Sequence, residues 1–336
     1  MSTHADIPVE NGVAHVALNV GTSGRLTVRV LQQIADALSA LENDDATEIV
    51  ILTGSGSNFP SGLTNPEAGG DDRNNLLSHI CTRLEHFPKP VIAVLTGAVI
   101  GGGAELALAC HYRLAHKDAR IGFPTARLGL VPNAGATQRL PRLAGAQVTL
   151  ELLLDGHLLP FGTRTTEPLA DQVFDGGRYE AILAFTEFLR TQGTKPRPTA
   201  TLRKGFADPQ GYQSAVTTAR QRLDPKNDIA ATHIVSAVEA ALLLPIDAGL
   251  AFEQAGFEDC SQTPQARGLT HVFHAEQTVG AHTRRGDLPQ ISTVAILGPG
   301  PLASQIVMSA LDAGLRVNWV IKDPTIQRDA INHVRE

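Results

Sequence analysis

The sequence predicts an α/β protein whose core strands run mostly parallel. Three observations carry this. Short apolar runs stopped by glycine, EIVILTG at 48–54 and VIAVLTG at 91–97, read as buried strands. Stretches with an apolar residue at every third or fourth position lie between such runs and read as helices. The two kinds alternate as strand, helix, strand, loop, helix, strand, helix, the order expected of parallel strands joined by crossovers.

Each element follows in turn. Residues 13–18, VAHVAL, alternate and end near Asn19 and Gly21, a strand and its turn. From Leu26 to Leu41, the residues Val30, Leu31, Ile34, Ala35, Leu38 and Leu41 share one helical face. After strand 48–54 comes a polar, glycine-rich loop, SGSNFPSGLTNPEAGGDD. A helix around 74–86 and the prolines 88 and 90 precede strand 91–97. The triplet GGG at 101–103 opens another helix, GGAELALACH, and two short apolar pieces follow, YRLAH and ARIGF. From about 191, TQGTKPRPTATLRKGFADPQG is rich in Pro, Gly and basic residues and reads as linker. Residues 228–259 and 262–279 read as helical, broken at Pro245, and TRRGDLPQ at 283–290 is a turn. STVAILGPGPLASQIVMSALDAGLRVNWVIKDP then spells strand, glycine turn, helix, strand: one β-α-β unit. One such unit cannot bury both faces of its sheet, so an exposed edge and an exposed Trp319 are expected there.

Bulk properties narrow the function. A chain of 336 residues suggests more than one domain. A net charge of −6, with no basic patch, argues against nucleic acid as a partner. Cys81, Cys110 and Cys260 are far apart and in no metal-ligand spacing, so reduced buried thiols and no metal are expected. The first ten residues carry no secretory signal and no run reaches the roughly 18 apolar residues of a spanning helix, so a cytoplasmic protein is expected.

The chemistry centres on the glycine triplet. Glycines at a strand-to-helix junction let a ligand approach the backbone, and the first-turn N–H groups have no intrahelical partner. Such donors stabilise a developing oxyanion. Glu105, one turn in, is a sensible general base beside them. The bland reading, a tight turn with a solvated glutamate, is open on this pattern alone.

The segment KPVIAVLTGAVIGGGAELALACHYRLAHKDARIGFPTARLGLVPNAGATQRLPRLAG resembles the signature of the enoyl-CoA hydratase/isomerase (crotonase) superfamily. ALACHYRLAH, the helical region 228–279 and the glycine turn at 298 resemble the multifunctional β-oxidation enzymes, which join a hydratase to a dehydrogenase. The resemblance implies a crotonase spiral of β-β-α turns over 1–190, a helical linker over 191–288, and an incomplete Rossmann β-α-β unit over 289–336, cut short early in the dehydrogenase domain. It implies an acyl-CoA thioester as substrate and a monomer or a homotrimer. The N–H groups of Leu63 and Gly102 would form the oxyanion hole, with Gly62, Gly101 and Asn133 contacting substrate. Glu105 matches the first catalytic glutamate. The second falls at Thr125, so a hydroxyl stands where family hydratases carry an acid. Thr64 likewise replaces a usual Asp, and Glu67, Asp71 and Asp72 are acids in the loop behind it. Asn133 and Ala136 replace two glycines of the family's P-G-A-G-G-T-Q-R-L, where Asn was expected to tolerate a positive φ.

In the last unit Gly298, Gly300 and Ala303 fit a dinucleotide-binding turn. The nearest ribose-binding acid, Asp323, comes 25 residues after Gly298, with Ile321 at the expected place. No cofactor is required by the resemblance, and neither NAD binding nor dehydrogenase activity is expected. Two functions of different class follow: a hydratase or isomerase weakened at Thr125, or an inactive acyl-CoA-binding remnant of a multifunctional enzyme.

Overall fold

The structure, a computed structural model, describes residues 7–21, 24–56, 58–63, 72–193, 195–283 and 291–335. It has two compact units, Met1–Ala275 and Glu276–Glu336.

The first unit repeats a β-β-α pattern. β1 (Val9–Glu10) precedes β2 (Val13–Leu18), β3 (Arg25–Leu26) and α1 (Val28–Leu41). The next turns are β4 (Ile49–Gly54), β5 (Ser61–Leu63), α2 (Asp72–Glu85) and β6 (Val91–Leu95), β7 (Ala98–Ile100), α3 (Gly102–Ala109). Then come β8 (Tyr112–His116), β9 (Arg120–Gly122) and α4 (Ala136–Asp155), which is kinked at Gly145. The first strand of each pair enters a six-stranded sheet of order β1-β2-β4-β6-β8-β11, closed by β11 (Gln172–Phe174) and parallel apart from β1. The second strands leave it: β3 pairs with β5, and β7 with β9, both in parallel. β10 (Leu159–Pro160) adds to β9 antiparallel.

Both faces of the large sheet are covered, and the strands are accordingly almost continuously apolar. Alternation sorts the side chains. Ala14, Val16, Val50, Leu52, Val91, Ala93 and Leu95 face the main core, which is filled by α1 to α4. Val13, Ile49, Ile51, Ile92, Val94 and Leu114 face Ile182, Phe185 and Leu189 of α5 (Arg178–Thr191). α1 starts where Thr27 accepts a bond from Val30 N (3.2 Å), and it buries Val30, Leu31, Ile34, Ala37, Leu38 and Leu41. The inward alanine is thus Ala37 and not Ala35.

The stretch from 191 to 211 reads as linker, and most of its described residues are exposed, Lys195, Lys204 and 207–211 among them. It is nevertheless docked at three points: Thr199 Oγ1 donates to Leu108 O (2.8 Å), Arg197 stacks over the Tyr112 ring at 4.6 Å, and Phe206 is buried. α6 (Pro209–Gln221), α7 (Ile229–Leu243), α8 (Ile246–Ser261) and α9 (Pro264–Thr283) follow, with Pro245 at the break between α7 and α8.

The second unit holds β12 (Thr293–Leu297), α10 (Pro301–Asp312), β13 (Arg316–Val320) and α11 (Pro324–Arg335). β12 and β13 pair in parallel. Leu297 is 77% exposed and Val320 54%, as a two-stranded sheet requires. Trp319 is an exception to the expected exposure: it is half-buried, and its Nε1 donates to Gly298 O (2.8 Å).

Candidate active site

β7 is followed by Gly101, whose N–H donates to Gly122 O at the end of β9 (2.9 Å). α3 begins one residue later. Its first intrahelical bond runs from Glu105 N to Gly101 O (2.9 Å), so the Gly102 N–H belongs to the unpaired first turn. Gly103 explains why the triplet is needed. A Cβ there would sit 1.8 Å from Pro60 O and 3.2 Å from Ser61 Cα, so only glycine lets β5 lie against the helix start. Gly62 Cα would be 3.8 Å from a Cβ on Gly101. The structure therefore brings Gly62 and Leu63 of β5 alongside Gly101 and Gly102. Thr64, Glu67 and Asp71 lie outside the described residues, as does the side chain of Asp72.

Glu105 is 5% exposed, which removes the solvated-helix reading. Its Oε1 accepts from Ala134 N (2.7 Å) and Ala136 N (3.3 Å). The two amides between and beyond are held by a different carboxylate. Glu253 of α8 accepts from Gly135 N (2.6 Å), Thr137 N (2.8 Å) and Thr137 Oγ1 (2.5 Å). Gly135 sits at φ 100°, a conformation that side-chain-bearing residues rarely adopt, and this turn presents four successive N–H groups to two acids. Burial first, and then the neighbouring Glu253 charge, push the Glu105 carboxyl up to about 8. Burial pushes Glu253 up to about 7, against the lowering effect of its Thr137 and Gly135 hydrogen bonds.

The sequence reading missed Glu253. Its signal was present: on α8 the buried positions are Gly249, Glu253, Gly256 and Cys260, a helical stripe with one acid among small residues. It also missed the ion pair behind the turn. Arg139 Nη2 meets Glu85 Oε2 at 2.9 Å, both side chains 1% exposed, while Arg139 Nη1 donates to Ala134 O (2.6 Å).

Thr125 lies in a 3-10 turn, Pro124–Leu128, directly after β9. Its carbonyl accepts from Leu130 N (3.1 Å). Its Oγ1 is buried and has no hydrogen-bond partner among the described residues. A hydroxyl left so costs about 1–3 kcal/mol, a cost that a ligand or water could offset. Asn133 is half-buried and has no need of the tolerance for positive φ that an Asn offers; Asn11 is the one described non-glycine residue with such a φ. The turn's left-handed residue is Gly135 instead. His111 is fully buried and accepts from Val91 N through Nδ1 (3.0 Å), and burial lowers its pKa to about 4. The three cysteines are free and buried. A cavity of about 260 Å³ lined by Val13, His15, Ile182, Leu183 and Arg190 opens on the α5 face of the sheet, opposite the core that holds Glu105, and has no acid–oxyanion pairing.

In the second unit Gly300 caps α10, and a Cβ on Gly298 or Gly300 would meet nothing within 4 Å, so this turn has an open face. Asp323 does not fit the ribose role. Its Oδ1 accepts from Thr325 N (2.8 Å) and Ile326 N (3.4 Å), capping α11. Trp319, the single tryptophan of the chain, is tied to Gly298 and reports on this turn. Adding NAD to the protein is expected to leave its fluorescence unchanged; saturable quenching would contradict the assignment of Asp323 as a cap.

Among the described residues no helix is long and apolar enough to cross a membrane, and no group of three or more His, Cys, Asp and Glu could hold a metal ion. Residues 9–161 match the family described as enoyl-CoA hydratase/isomerase. The peroxisomal bifunctional enzyme of Homo sapiens is 28% identical over 94% of this chain and 45% of its own length. That of Danio rerio is 30% identical over 92% of the chain and 44% of its own. The chain thus spans less than half the length of these relatives. A probable enoyl-CoA hydratase of Bacillus subtilis is 36% identical over 45% of the chain and 61% of its own length. Among solved structures, an enoyl-CoA hydratase from Mycobacterium avium subsp. paratuberculosis K-10 aligns with TM-score 0.56 at 22% identity, over 79% of this chain and 97% of that one. A carnitinyl-CoA dehydratase from Mycobacterium thermoresistibile aligns with TM-score 0.59 at 18% identity, over 81% and 88%. These last two speak for the fold alone. With a glycine-opened helix, a buried glutamate and a family match over residues 9–161, the chain resembles the enoyl-CoA hydratase/isomerase (crotonase) superfamily and, over most of its length, the bifunctional enzymes.

Proposed function

We propose that the protein binds acyl-CoA thioesters of fatty-acid β-oxidation and stabilises an enolate between the N–H groups of Leu63 and Gly102. The observation that carries this is the juxtaposition of β5 with the start of α3, one turn before the buried Glu105. In hydration, Glu105 takes a proton from water as the hydroxyl adds to Cβ. Electron density moves onto the thioester oxygen, where two backbone donors receive it. Cα then takes a proton, which Glu105, protonated in the first step, can return. A carboxyl at position 125 would supply it in a two-glutamate site; Thr125 cannot do so near neutral pH, so this step is weakened. Gly62, Gly101 and Asn133 line the acyl path in this reading.

The test is the loss of conjugated enoyl-thioester absorbance with crotonyl-CoA. Turnover reduced at least about 10²-fold by Glu105→Gln supports the hydratase reading. No turnover with thioester binding intact supports the second reading, an inactive acyl-CoA-binding remnant, which the unpartnered Thr125 hydroxyl favours. We further propose a crotonase domain over 1–190, a helical region over 191–288 and a Rossmann-type segment over 289–336 without NAD. A cytoplasmic monomer or homotrimer needing no cofactor completes the reading; the peroxisome is named only for the relatives.

A further inference from the structure

We propose that Glu253 is the positioning residue of this site, a second buried carboxylate that interleaves with Glu105 on one turn and sets its ionisation. The geometry carries this. Four successive N–H groups, 134 to 137, point alternately at the two acids: Ala134 and Ala136 to Glu105, Gly135 and Thr137 to Glu253. Neither carboxylate can shift without releasing amides of the turn that also binds the other. Both bonds to Glu105 fall on Oε1, so Oε2 stays outside the clamp and is the oxygen left for chemistry.

Two like charges bound to neighbouring amides of one turn, both shielded from water, do not ionise together easily. The cation facing both is Arg139, which is engaged by Glu85. Cys81 also senses Glu105, and burial keeps that thiol neutral. The pair therefore holds one proton where ordinary carboxyls hold none. Glu253 sets how often Glu105 carries it. On the hydratase reading, this gives a site with a hydroxyl at 125 one base and one stored proton.

The experiment uses the full-length protein without substrate. Carboxyl titrations by ¹³C NMR are recorded for wild type, Glu253→Gln and Glu105→Gln. In the wild type, one of the pair is expected to titrate well above the ordinary range. In Glu253→Gln, Glu105 is expected to titrate lower by about one pH unit or more, and in Glu105→Gln, Glu253 likewise. The reciprocal variant keeps the test alive if one protein fails to fold. Linkage gives a second readout. A carboxyl raised above its ordinary 4.5 favours the folded state below that pH, and this stability is lost as pH rises through the raised value. Wild type should lose stability between 4.5 and about 8, and Glu253→Gln should flatten that slope. A surviving carboxyl that titrates unmoved, or two that both ionise in the ordinary range, overturns the proposal. Absent crotonyl-CoA turnover with the reciprocal shifts present would instead sink the hydratase reading and leave the pair standing.

Discussion

Thr125→Glu is expected to raise the rate of crotonyl-CoA hydration by about 10²–10⁴-fold, the range that one positioned general acid supplies. The position is anchored for this. The turn Pro124–Leu128 follows β9, and the end of β9 is tied to Gly101 beside the proposed oxyanion donors. A group at 125 is therefore held in a fixed relation to Gly102. The threonine hydroxyl is buried and has no partner among the described residues, so a carboxyl there would be partly desolvated. Desolvation raises a carboxyl pKa, which keeps the new group protonated nearer neutral pH, as an acid requires. Thr125→Gln is the control: it fills the same volume and donates hydrogen bonds but has no proton to transfer, so it should gain little. A folded Thr125→Glu protein with no gain would mean that the missing acid is not what limits the chemistry. The acyl-CoA-binding reading would then be preferred.

What the sequence made legible was local. Alternation within VAHVAL and the glycine stop in EIVILTG are properties of adjacent residues, and the strands β2 and β4 appear where those patterns lie. The GGGAE junction was legible because a strand end, three glycines and an acid are contiguous. Glu253 was not, since it reaches residues more than a hundred positions earlier and nothing near it in the chain says which turn it will meet. Asp323 is the converse case. Three residues past β13 it is the nearest acid to the ribose place without falling on it, and an Asp just before Pro324 reads as a helix N-cap, the role its local hydrogen bonds give it. The stretch 191–211 shows the same limit. Its composition marks an exposed chain without long regular elements, which most of it is, but does not say which of its residues dock. Thr199, Arg197 and Phe206 bind it to the core by contacts distant in sequence.

Removing Glu85 should have the largest effect on stability. Glu85→Ala is expected to cost about 3–5 kcal/mol, because it strands the Arg139 guanidinium in a dry core. It also releases Ala200 N, which donates to Glu85 Oε1 (2.7 Å) and holds the 191–211 stretch in place. Arg139 cannot turn to water, since it is 1% exposed and its Nη1 is fixed on Ala134 O. The same arginine offsets the charge of both Glu105 and Glu253, so its loss of balance reaches the site as well as the core. A double variant, Glu85→Gln with Arg139→Met, separates the two contributions. It removes both charges and keeps apolar volume, so it should recover much of the lost stability, as buried pairs exchanged for apolar groups often do. It should not recover the site, because the carbonyl of Ala134 loses its donor and the turn that carries the four N–H groups loses its brace. Urea unfolding of the wild type and both variants reads the first half, and crotonyl-CoA turnover or thioester binding reads the second. A Glu85→Ala protein as stable as wild type would mean that water reaches Arg139 and that the pair is not buried in solution.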